Sequence, residues 1–249
     1  MQILVVSDVH ANFHALRAVL DAAPPCDKML CLGDIVGYGA SPNECCQLLR
    51  ERGAICLSGN HDAALSGHDL TERMNALAQF SNEWTRTILT PQNRVWLASL
   101  SPHRVFEEWN FEAVHASLDF PLEGYINGKI SARESWSRMK FDLCFFGHTH
   151  VAASLGELNV PGRKYEIEER KWRDGGRFSI RGDGWKTLVN PGSVGQPRDG
   201  NPLARAAVFD VATREVKIFG VKYDVEAAQN AVSAAGFSPK ISERLALGR

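Results

Sequence analysis

Short apolar runs with the length of β-strands recur through the first part of the chain, and helical patterns separate the early ones. After the first run, an apolar stripe that includes Phe13 and Leu16 predicts an amphipathic helix that Asn12 can cap. The alternation of strands and helices predicts an α/β sheet with parallel strands. The apolar runs cover residues 3–7, 29–32, 54–57, 111–114 and 143–146.

The next two connections also carry helix signals. After the second run, Ser41 to Glu44 has the pattern of a capping box with proline at the first helical position, and Gly53 provides a stop signal. After the third run, apolar residues recur at helical spacings, which predicts a longer amphipathic helix. Its apolar positions are Leu70, Met74, Leu77, Trp84 and Ile88.

Beyond Val151 the chain changes to short segments punctuated by glycine, which indicate a second, more antiparallel sheet layer. The stretch 156–186 is rich in glycine and in both charge signs, so we expect an exposed hairpin or flap. A helix is predicted between a capping Asp224 and Gly236. The sequence shows no repeat or linker, which favours a single domain over residues 1–249. The strands predicted in this part are 187–190, 205–210 and 215–221.

The charge balance excludes one class of function. Lys and Arg total 28 against 29 Asp and Glu, for a formal net charge of -1. No global positive field is therefore available to hold nucleic acid or an acidic membrane surface. We expect no stable nucleic acid complex and no membrane association, so any recognition of phosphate must be local. The oligomeric state stays open.

The lack of targeting signals and the cysteine spacing indicate the cytoplasm. The N-terminal apolar run is too short for a signal peptide, and no stretch approaches the roughly 20 apolar residues of a membrane span. The six cysteines form no Cys-x-x-Cys pair and lack the even spacing of a secreted framework. We expect reduced, mostly buried thiols in a cytoplasmic protein.

A polar cluster follows each of the five early apolar runs. Taken singly each cluster is a weak signal, because a lone histidine at a strand end is more often a core residue than a ligand. In open α/β sheets, however, the carboxyl ends of parallel strands converge on the ligand crevice. The placement of all five therefore predicts one shared site. The clusters are Asp8-x-His10, Gly33-Asp34, Gly59-Asn60-His61-Asp62, His115 and Gly147-His148-Thr149-His150.

These residue types suit a pair of divalent metal ions. Two dications roughly 3.5–4 Å apart can clamp the attacking and leaving oxygens of an in-line displacement at phosphorus. Holding them together requires an anionic bridge, and Asp34, the carboxylate alone at its strand end, is the natural one. Imidazoles and an Asn carbonyl complete the shells. Two dications against Asp8, Asp34 and a hydroxide leave a charge of about +1, which attracts phosphate.

In order, these clusters reproduce the pattern D-x-H…G-D…G-N-H-[D/E]…H…G-H-x-H of the calcineurin-like metallophosphoesterases, and the chain resembles their small bacterial branch. The resemblance implies a four-layer α-β-β-α sandwich of two mixed sheets. It also implies hydrolysis by a hydroxide that the two metals activate. Further segments that carry the likeness are Gly33 to Gly39, Trp84 to Arg86, Asn190 to Gly200 and Arg244-Leu245.

The resemblance also implies a role for each site residue. His61 suits a general acid that protonates the leaving oxygen, and Asp62 either orients His61 or is a solvated turn carboxylate. Manganese or iron suits the mixed shell, with zinc or nickel as alternatives. The family pattern assigns the first metal to Asp8, His10, Asp34 and His150. It assigns the second metal to Asp34, Asn60, His115 and His148.

Two departures from the family bear on substrate. The Ser/Thr phosphatases read G-D-x-x-D-R-G, where the second Asp supports the catalytic His and the Arg binds phosphate, but Gly37 and Tyr38 stand there in this chain. After His115, relatives often carry an arginine that this chain lacks. Arg198 is either its replacement in substrate binding or an exposed, solvated arginine.

We therefore predict a phosphodiesterase for small or cyclic nucleotide-like phosphoesters. The alternatives are a phosphomonoesterase, a dinucleoside polyphosphatase or a protein phosphatase, although Gly37 and Tyr38 disfavour the last. A non-catalytic interaction scaffold is the rival from another class, and a scaffold has no need of a full set of ligands. The remaining histidines are expected to be structural or solvent-facing, and these are His14, His68 and His103.

Overall fold

Two six-stranded sheets lie face to face, with helices on their outer faces. The computed structural model describes residues 1–67, 70 and 74–249. The strands in these residues are β1 (Gln2–Val6), β2 (Lys28–Cys31), β3 (Ile55–Cys56), β4 (His103–Phe106), β5 (Phe111–Val114), β6 (Leu143–Phe145), β7 (Ala153–Leu158), β8 (Glu166–Lys171), β9 (Gly176–Ser179), β10 (Trp185–Asn190), β11 (Ala204–Asp210) and β12 (Glu215–Val221). The helices are α1 (Phe13–Ala22), α2 (Pro42–Glu51), α3 (Asn60–Leu65), α4 (Ala76–Ile88), α5 (Pro91–Ala98), α6 (Arg133–Arg138), α7 (Val225–Ala234) and α8 (Pro239–Leu247), with a 3-10 turn at Glu107–Trp109.

Each sheet combines parallel and antiparallel neighbours. The first has the order β3-β2-β1-β11-β12-β9, in which β1, β2 and β3 are parallel and the other pairs are antiparallel. The second has the order β4-β5-β6-β10-β7-β8, in which β5, β6 and β10 are parallel. This confirms the expected four-layer sandwich of two mixed sheets.

The division of strands between the sheets differs from the expectation of a parallel early sheet and a separate, later one. β5 and β6 belong to the second sheet, while β11 from the far end of the chain pairs with β1 in the first. A local apolar pattern specifies that a strand forms, but its neighbour is selected by packing with distant segments. The simple assignment by position along the chain was therefore wrong.

The inner faces of the two sheets form the central core. On β1, Ile3 and Val5 lie in this core together with Phe145 of the second sheet. Leu4 and Val6, which point the other way, pack in the cluster that contains the apolar residues of α1 and α2. A strand buried on both faces has a continuous apolar run in place of an alternating one. This explains why the early strand segments are continuously apolar.

Most helix ends follow the predicted signals. Asn12 caps α1 by accepting a hydrogen bond from Ala15 N–H at 3.1 Å, and Asp224 caps α7 in the same way. Pro42 is the first residue of α2, as predicted. Ser41 precedes it, but within the described chain its side chain makes no capping hydrogen bond, so the predicted capping box is wrong.

The helix predicted from Leu70 onward begins later than expected. Asn75 caps α4 by accepting hydrogen bonds from the N–H groups of Leu77 and Ala78, each at 3.1 Å. Leu70 and Met74 therefore precede the helix. His68, which we expected to be structural or solvent-facing, lies outside the described residues.

The stretch 156–186, expected as an exposed hairpin or flap, contributes strands to both sheets. β7 and β8 pair antiparallel at the edge of the second sheet, and β8 is mostly exposed. β9 instead pairs with β12 at the edge of the first sheet. Trp172, which follows β8, and Ile180, which follows β9, are buried in the core between the sheets. The stretch thus spans one side of that core.

The cysteines match the expectation of reduced thiols, since all six are free and four of them are buried. Among the described residues, no helix has the length and apolar character needed to cross a lipid bilayer.

Candidate metal centre

The seven predicted metal ligands meet where strands of both sheets end, and all seven are buried. The parallel strands of each sheet point their carboxyl ends toward this edge, which is the usual position of a ligand site in α/β sheets. The ligands follow β1 (Asp8, His10), β2 (Asp34), β3 (Asn60), β5 (His115) and β6 (His148, His150).

The donor atoms form two groups that share one carboxylate. One group is Asp8, His10, Asp34 and His150, and the other is Asp34, His115 and His148. Within each group the candidate donor atoms lie within 4.8 Å of one another. Asn60 adds its Oδ1, which lies 3.4 Å from His115 Nε2. The structure thus brings all seven predicted ligands together, with Asp34 between the two groups.

The backbone at the centre is strained. Five ligand residues have left-handed φ angles, a region that residues with a side chain seldom adopt. Such strain typically costs about 1–3 kcal/mol per residue and persists only where the surrounding structure enforces it. The strain thus lies in the backbone of the residues that carry the candidate ligands. The five residues are Asp8 (φ 52°), His10 (φ 47°), Asp34 (φ 51°), His148 (φ 64°) and His150 (φ 60°).

Backbone carbonyls fix the orientation of three imidazoles. His10 Nδ1 lies 3.2 Å from the Val36 carbonyl, His115 Nδ1 lies 2.9 Å from the Leu32 carbonyl and His150 Nδ1 lies 2.7 Å from the Gln196 carbonyl. A carbonyl only accepts, so Nδ1 carries the proton in each ring. Each Nε2 is then left with a lone pair for a metal ion.

The Nε2 atoms of two of these rings lie against each other. His10 Nε2 and His150 Nε2 are 3.0 Å apart, and neither has a proton to share when both Nδ1 atoms carry theirs. The buried His148 Nε2 has no hydrogen-bond partner within the described residues. A cation placed among these atoms would satisfy all of them. The residues present therefore fit a bound metal ion.

Burial shapes the electrostatics of the same atoms. Desolvation, with a contribution from Asp34, raises the pKa of Asp8 to about 7. Burial also raises the pKa of Asp34 well above its usual range, with the neighbouring Asp62 adding to the effect. It lowers the pKa of His10 and His150 well below the ordinary value. A bound dication would offset the desolvation cost of the ionised carboxylates, and the neutral imidazoles could bind it through their lone pairs.

The predicted general acid, His61, lines a cleft of ≈ 370 Å³ beside the ligands. Its Nδ1 lies 2.9 Å from Asn82 Oδ1 on α4, and its N–H donates to Asp34 Oδ1 at 2.9 Å. Burial lowers the pKa of His61 to about 4; the Asn82 hydrogen bond opposes this shift, and the charge of Arg198 adds to it. His61 is therefore held beside the metal ligands without being in either donor group.

Neither expectation for Asp62 holds. The carboxylate is fully buried, so it is not a solvated turn residue. Its oxygens accept hydrogen bonds from the N–H groups of Ile35 (3.0 Å), Val36 (3.1 Å) and Gly59 (2.9 Å). Asp62 thus joins the loop after β2 to the start of α3, and the side chain that contacts His61 Nδ1 is that of Asn82.

Arg198 lies in the same cleft, half-buried. Its Nη2 donates to Gln196 Oε1 at 2.9 Å, and its backbone N–H donates to the His150 carbonyl at 3.1 Å. Its charge contributes to the lowered pKa of His10 and His150. The placement is that of a cation facing the site, not of a freely solvated arginine.

The sequence analysis did not place three further residues at the site: two line the cleft, and the third contacts His61. Tyr38 is buried with its ring 4.7 Å from the His61 ring, and Tyr125 is half exposed with its ring 4.3 Å from the His148 ring. Asn82 is the third. The signal for Asn82 is a buried helix face made of polar residues, among them Ser81. Nothing in the sequence around Tyr125 distinguishes it from other loop tyrosines.

Two of the remaining histidines lie outside both donor groups. His103 Nε2 is 3.0 Å from Glu112 Oε2, which makes it the partner of a buried carboxylate on β5. His14 is half-buried on α1. Both positions agree with the structural or solvent-facing roles expected for them.

The chain is similar to one protein family and to several known proteins. Residues 1–214 match the model of the calcineurin-like phosphoesterase superfamily domain. An uncharacterized protein of Methanocaldococcus jannaschii is 33% identical over 261 residues, covering 99% of this chain and 98% of that protein. The crystal structure of a metallophosphoesterase from Sphaerobacter thermophilus has a TM-score of 0.86 and 35% identity, covering 100% of both chains. A hypothetical protein from Pyrococcus horikoshii, at 17% identity, shares the fold with a TM-score of 0.77, covering 100% of this chain and 98% of that one.

Proposed function

This chain belongs to the calcineurin-like phosphoesterase superfamily, a family of metal-dependent phosphoester hydrolases, and on this premise we propose that it hydrolyses phosphodiesters with two divalent metal ions. One observation carries the proposal: the buried Asp34 belongs to both donor groups. A shared carboxylate is what two closely spaced dications require, and such a pair is suited to displacement at phosphorus.

The donor set supports manganese or iron, with zinc or nickel also compatible. It mixes imidazole nitrogens with carboxylate and amide oxygens, which suits intermediate first-row metals better than calcium or magnesium. When bound, two such ions lower the pKa of a water molecule and stabilise charge on the phosphoryl oxygens. His10, His115 and His150 hold their Nε2 atoms toward this position through their carbonyl-bound Nδ1 atoms.

We assign proton transfer to His61 and anion binding to Arg198. Both side chains line the cleft beside the ligands. Burial keeps the free His61 ring neutral, but a phosphoester anion in the cleft opposes that effect and favours the protonated ring. His61 then donates its proton to the leaving oxygen as the P–O bond breaks. The Arg198 guanidinium offsets the charge of the substrate.

The diester preference rests on the loop after β2. A Cβ on Gly37 would lie 2.2 Å from His61 Nδ1, so this position holds no acidic side chain. Tyr38, which follows, is buried and accepts a hydrogen bond from Asn75 Nδ2 at 3.3 Å. The loop therefore offers no bidentate clamp for a dianionic monoester. A diester carries one negative charge, for which Arg198 and the metals suffice, and the small cleft suits a small substrate.

A substrate comparison tests the proposal. The metal-loaded protein is assayed with Mn²⁺ against bis(p-nitrophenyl) phosphate, p-nitrophenyl phosphate and a phosphorylated Ser/Thr peptide. We expect kcat/KM for the diester to equal or exceed that for the monoester, and the phosphopeptide to be a poor substrate. A phosphopeptide value tenfold above the diester would overturn the diester assignment. Absence of turnover with every substrate, including mono-, di- and cyclic nucleotides, would remove the enzymatic proposal.

A further inference from the structure

Asn82 contacts the ring of the proposed general acid from a helix outside the metal-binding loops. It lies on α4 and is 1% exposed. Its Oδ1 lies 2.9 Å from His61 Nδ1, and its Nδ2 lies 3.2 Å from Met74 Sδ. An amide oxygen only accepts, so Nδ1 carries the proton in this pair. The other ring nitrogen, Nε2, is then left for the cleft that His61 lines.

Gly37, on the loop after β2, leaves no room for a side chain that could take the place of Asn82. A Cβ on Gly37 would lie 2.2 Å from His61 Nδ1 and 3.0 Å from Asn82 Oδ1. Gly37 also has a φ of 84°, a conformation that disfavours any side chain. Support for this edge of the ring therefore comes from α4.

Polar contacts hold α4 in place against the site. Tyr38 N–H donates to Ser81 Oγ at 3.0 Å, and Asn75 Nδ2 donates to Tyr38 Oη at 3.3 Å. The Tyr38 ring in turn packs against the His61 ring. The amide of Asn82 is thus fixed on a regular element by neighbours on both sides. Outer contacts of this kind orient a reactive side chain before the substrate arrives.

We propose that Asn82 is the positioning residue for His61, fixing the ring and its Nδ1–H tautomer so that Nε2 faces the leaving oxygen of the phosphoester. The inference rests on the proposed function. In the step it serves, a water oxygen forms the new P–O bond while the old P–O bond breaks and its electron pair stays on the leaving oxygen. In the ring that the bound phosphoester anion keeps protonated, Nδ1–H stays on Asn82 Oδ1 while the second proton, on Nε2, moves to that oxygen. This leaves the neutral Nδ1–H tautomer, and the proton lost by water returns to Nε2 through solvent.

The test compares variants of the full-length, metal-loaded protein. The variants are Asn82→Ala, Asn82→Asp, His61→Ala and the double variant that combines Asn82→Ala with His61→Ala. Thr85→Ala is the control. Thr85 is buried on the same helix, and its hydroxyl donates to the Ser81 carbonyl within that helix. Each is assayed with a dialkyl phosphodiester, whose leaving group needs a proton, and with bis(p-nitrophenyl) phosphate, whose leaving group does not.

We expect Asn82→Ala to lower kcat for the dialkyl ester about tenfold or more, the usual effect of losing an orienting partner, with a much smaller loss for the aryl ester. Metal content should be unchanged. Asn82→Asp, which restores an acceptor, should recover most of the rate, and the double variant should be no slower than His61→Ala. Equal losses for both esters, additive losses in the double variant, or a Thr85→Ala effect of the same size would overturn the proposal.

A measurement independent of turnover separates this inference from the proposed function. In the zinc-loaded protein, ¹⁵N–¹H spectra should show a protected Nδ1–H signal from His61 that Thr85→Ala keeps and Asn82→Ala loses. Asn82→Leu keeps the side-chain volume and replaces the alanine variant where that variant does not fold. If no phosphoester is cleaved but the signal behaves as expected, the function fails and the positioning contact stands. Persistence of the signal without Asn82 would overturn the positioning role.

Discussion

Asp34 is held by its neighbours on every side. Its Oδ1 accepts a hydrogen bond from His61 N–H at 2.9 Å, while its Oδ2 lies 3.6 Å from His10 Nε2 and 3.5 Å from His115 Nε2. Burial and the nearby Asp62 raise its pKa well above the usual range. Burying an ionised carboxylate at this position costs free energy when it has no cation beside it, and becomes favourable when it lies between two cations.

The variant Asp34→Asn should therefore lose both metal ions, or at least their close spacing. A neutral amide has nearly the same shape but cannot offset the repulsion of two adjacent dications. Elemental analysis after dialysis measures the change, with turnover as a second readout. Asp21→Asn, an exposed position on α1, serves as the matched control and should keep both metals. Two tightly held metals and full activity in the Asp34 variant would contradict the shared-carboxylate assignment.

For single residues, the sequence predicted the metal ligands better than the residues that hold the site in place through hydrogen bonds. A metal ligand is recognised by residue type and by its place at a strand end, and both are local. The contact of Asn82 with His61 joins positions separated along the chain, and the hydrogen bonds of Asp62 do the same. Such contacts depend on how α3 and α4 pack, which no local pattern specifies.

Among the elements, the turns after the strands determine how closely the donors approach. Gly59 ends the turn after β3, and a Cβ there would lie 2.1 Å from Asp34 Oδ1 and 2.3 Å from the Asp34 backbone N. A Cβ on Gly147 would similarly lie 2.0 Å from Ser7 Oγ. Glycine at these places lets one loop pass directly beneath another.

The variant Gly59→Ala should consequently disturb the centre without removing any ligand. The added methyl group must displace Asp34, and overpacking of this kind costs about 1–3 kcal/mol. We expect a lower Tm and weaker metal binding, measured by thermal unfolding with and without Mn²⁺. The control is Gly182→Ala, where an added Cβ meets nothing within 4 Å. Metal affinity that stays at the wild-type level in Gly59→Ala would show that the turn has more room than its contacts imply.

The strands and helices also show which parts of the fold are determined by the local sequence pattern. The strands at Phe111–Val114 and Glu215–Val221 have the predicted bounds because continuous apolar runs and alternation are local signals. The start of α4 was misplaced because Met74 fits the helical period, yet Asn75 caps the helix one residue later. The partition of strands between two sheets was also misjudged, since β1 selects β11 through distant packing.

The metal centre joins the two halves of the whole molecule. Asp8, His10, Asp34 and Asn60 follow strands of the first sheet, while the other three ligands follow strands of the second. A metal ion bound here connects both sheets at the edge where their strands end. Its binding free energy therefore stabilises the folded sandwich as a unit, because the unfolded chain has no such site.

Chelation should lower the Tm of the whole protein by about 10 °C. A ligand present at a thousand times its Kd stabilises the native state by roughly 4 kcal/mol. For a chain of this size each kcal/mol corresponds to roughly 2–4 °C. Scanning calorimetry with Mn²⁺ and with EDTA measures the difference, and Asp34→Asn, which should lack the metals, serves as the control with little response to EDTA. An unchanged Tm on chelation of the wild type would contradict a structural contribution from the metals.

The response to pH should reverse when the metals are removed. In the metal-free protein, burial and Asp34 raise the pKa of Asp8 to about 7, while an unfolded aspartate titrates near roughly 3.9. Between these two values the folded state binds more protons than the unfolded one, so the contribution of Asp8 to stability falls as pH rises from about 4 to about 7. The buried histidines act in the opposite direction, because burial lowers their pKa while the unfolded imidazoles still bind protons near their ordinary pKa of roughly 6.5. The difference in unfolding free energy between the wild type and Asp8→Asn removes their contribution, which both proteins share. In the metal-loaded protein, protons compete with the cations for the same carboxylates, so stability should hold or rise over this window. Unfolding curves of the wild type and Asp8→Asn, with and without metal at matched ionic strength, test the reversal. A metal-free difference between the two proteins that does not fall as pH rises would show that Asp8 is ionised in the folded state at little cost.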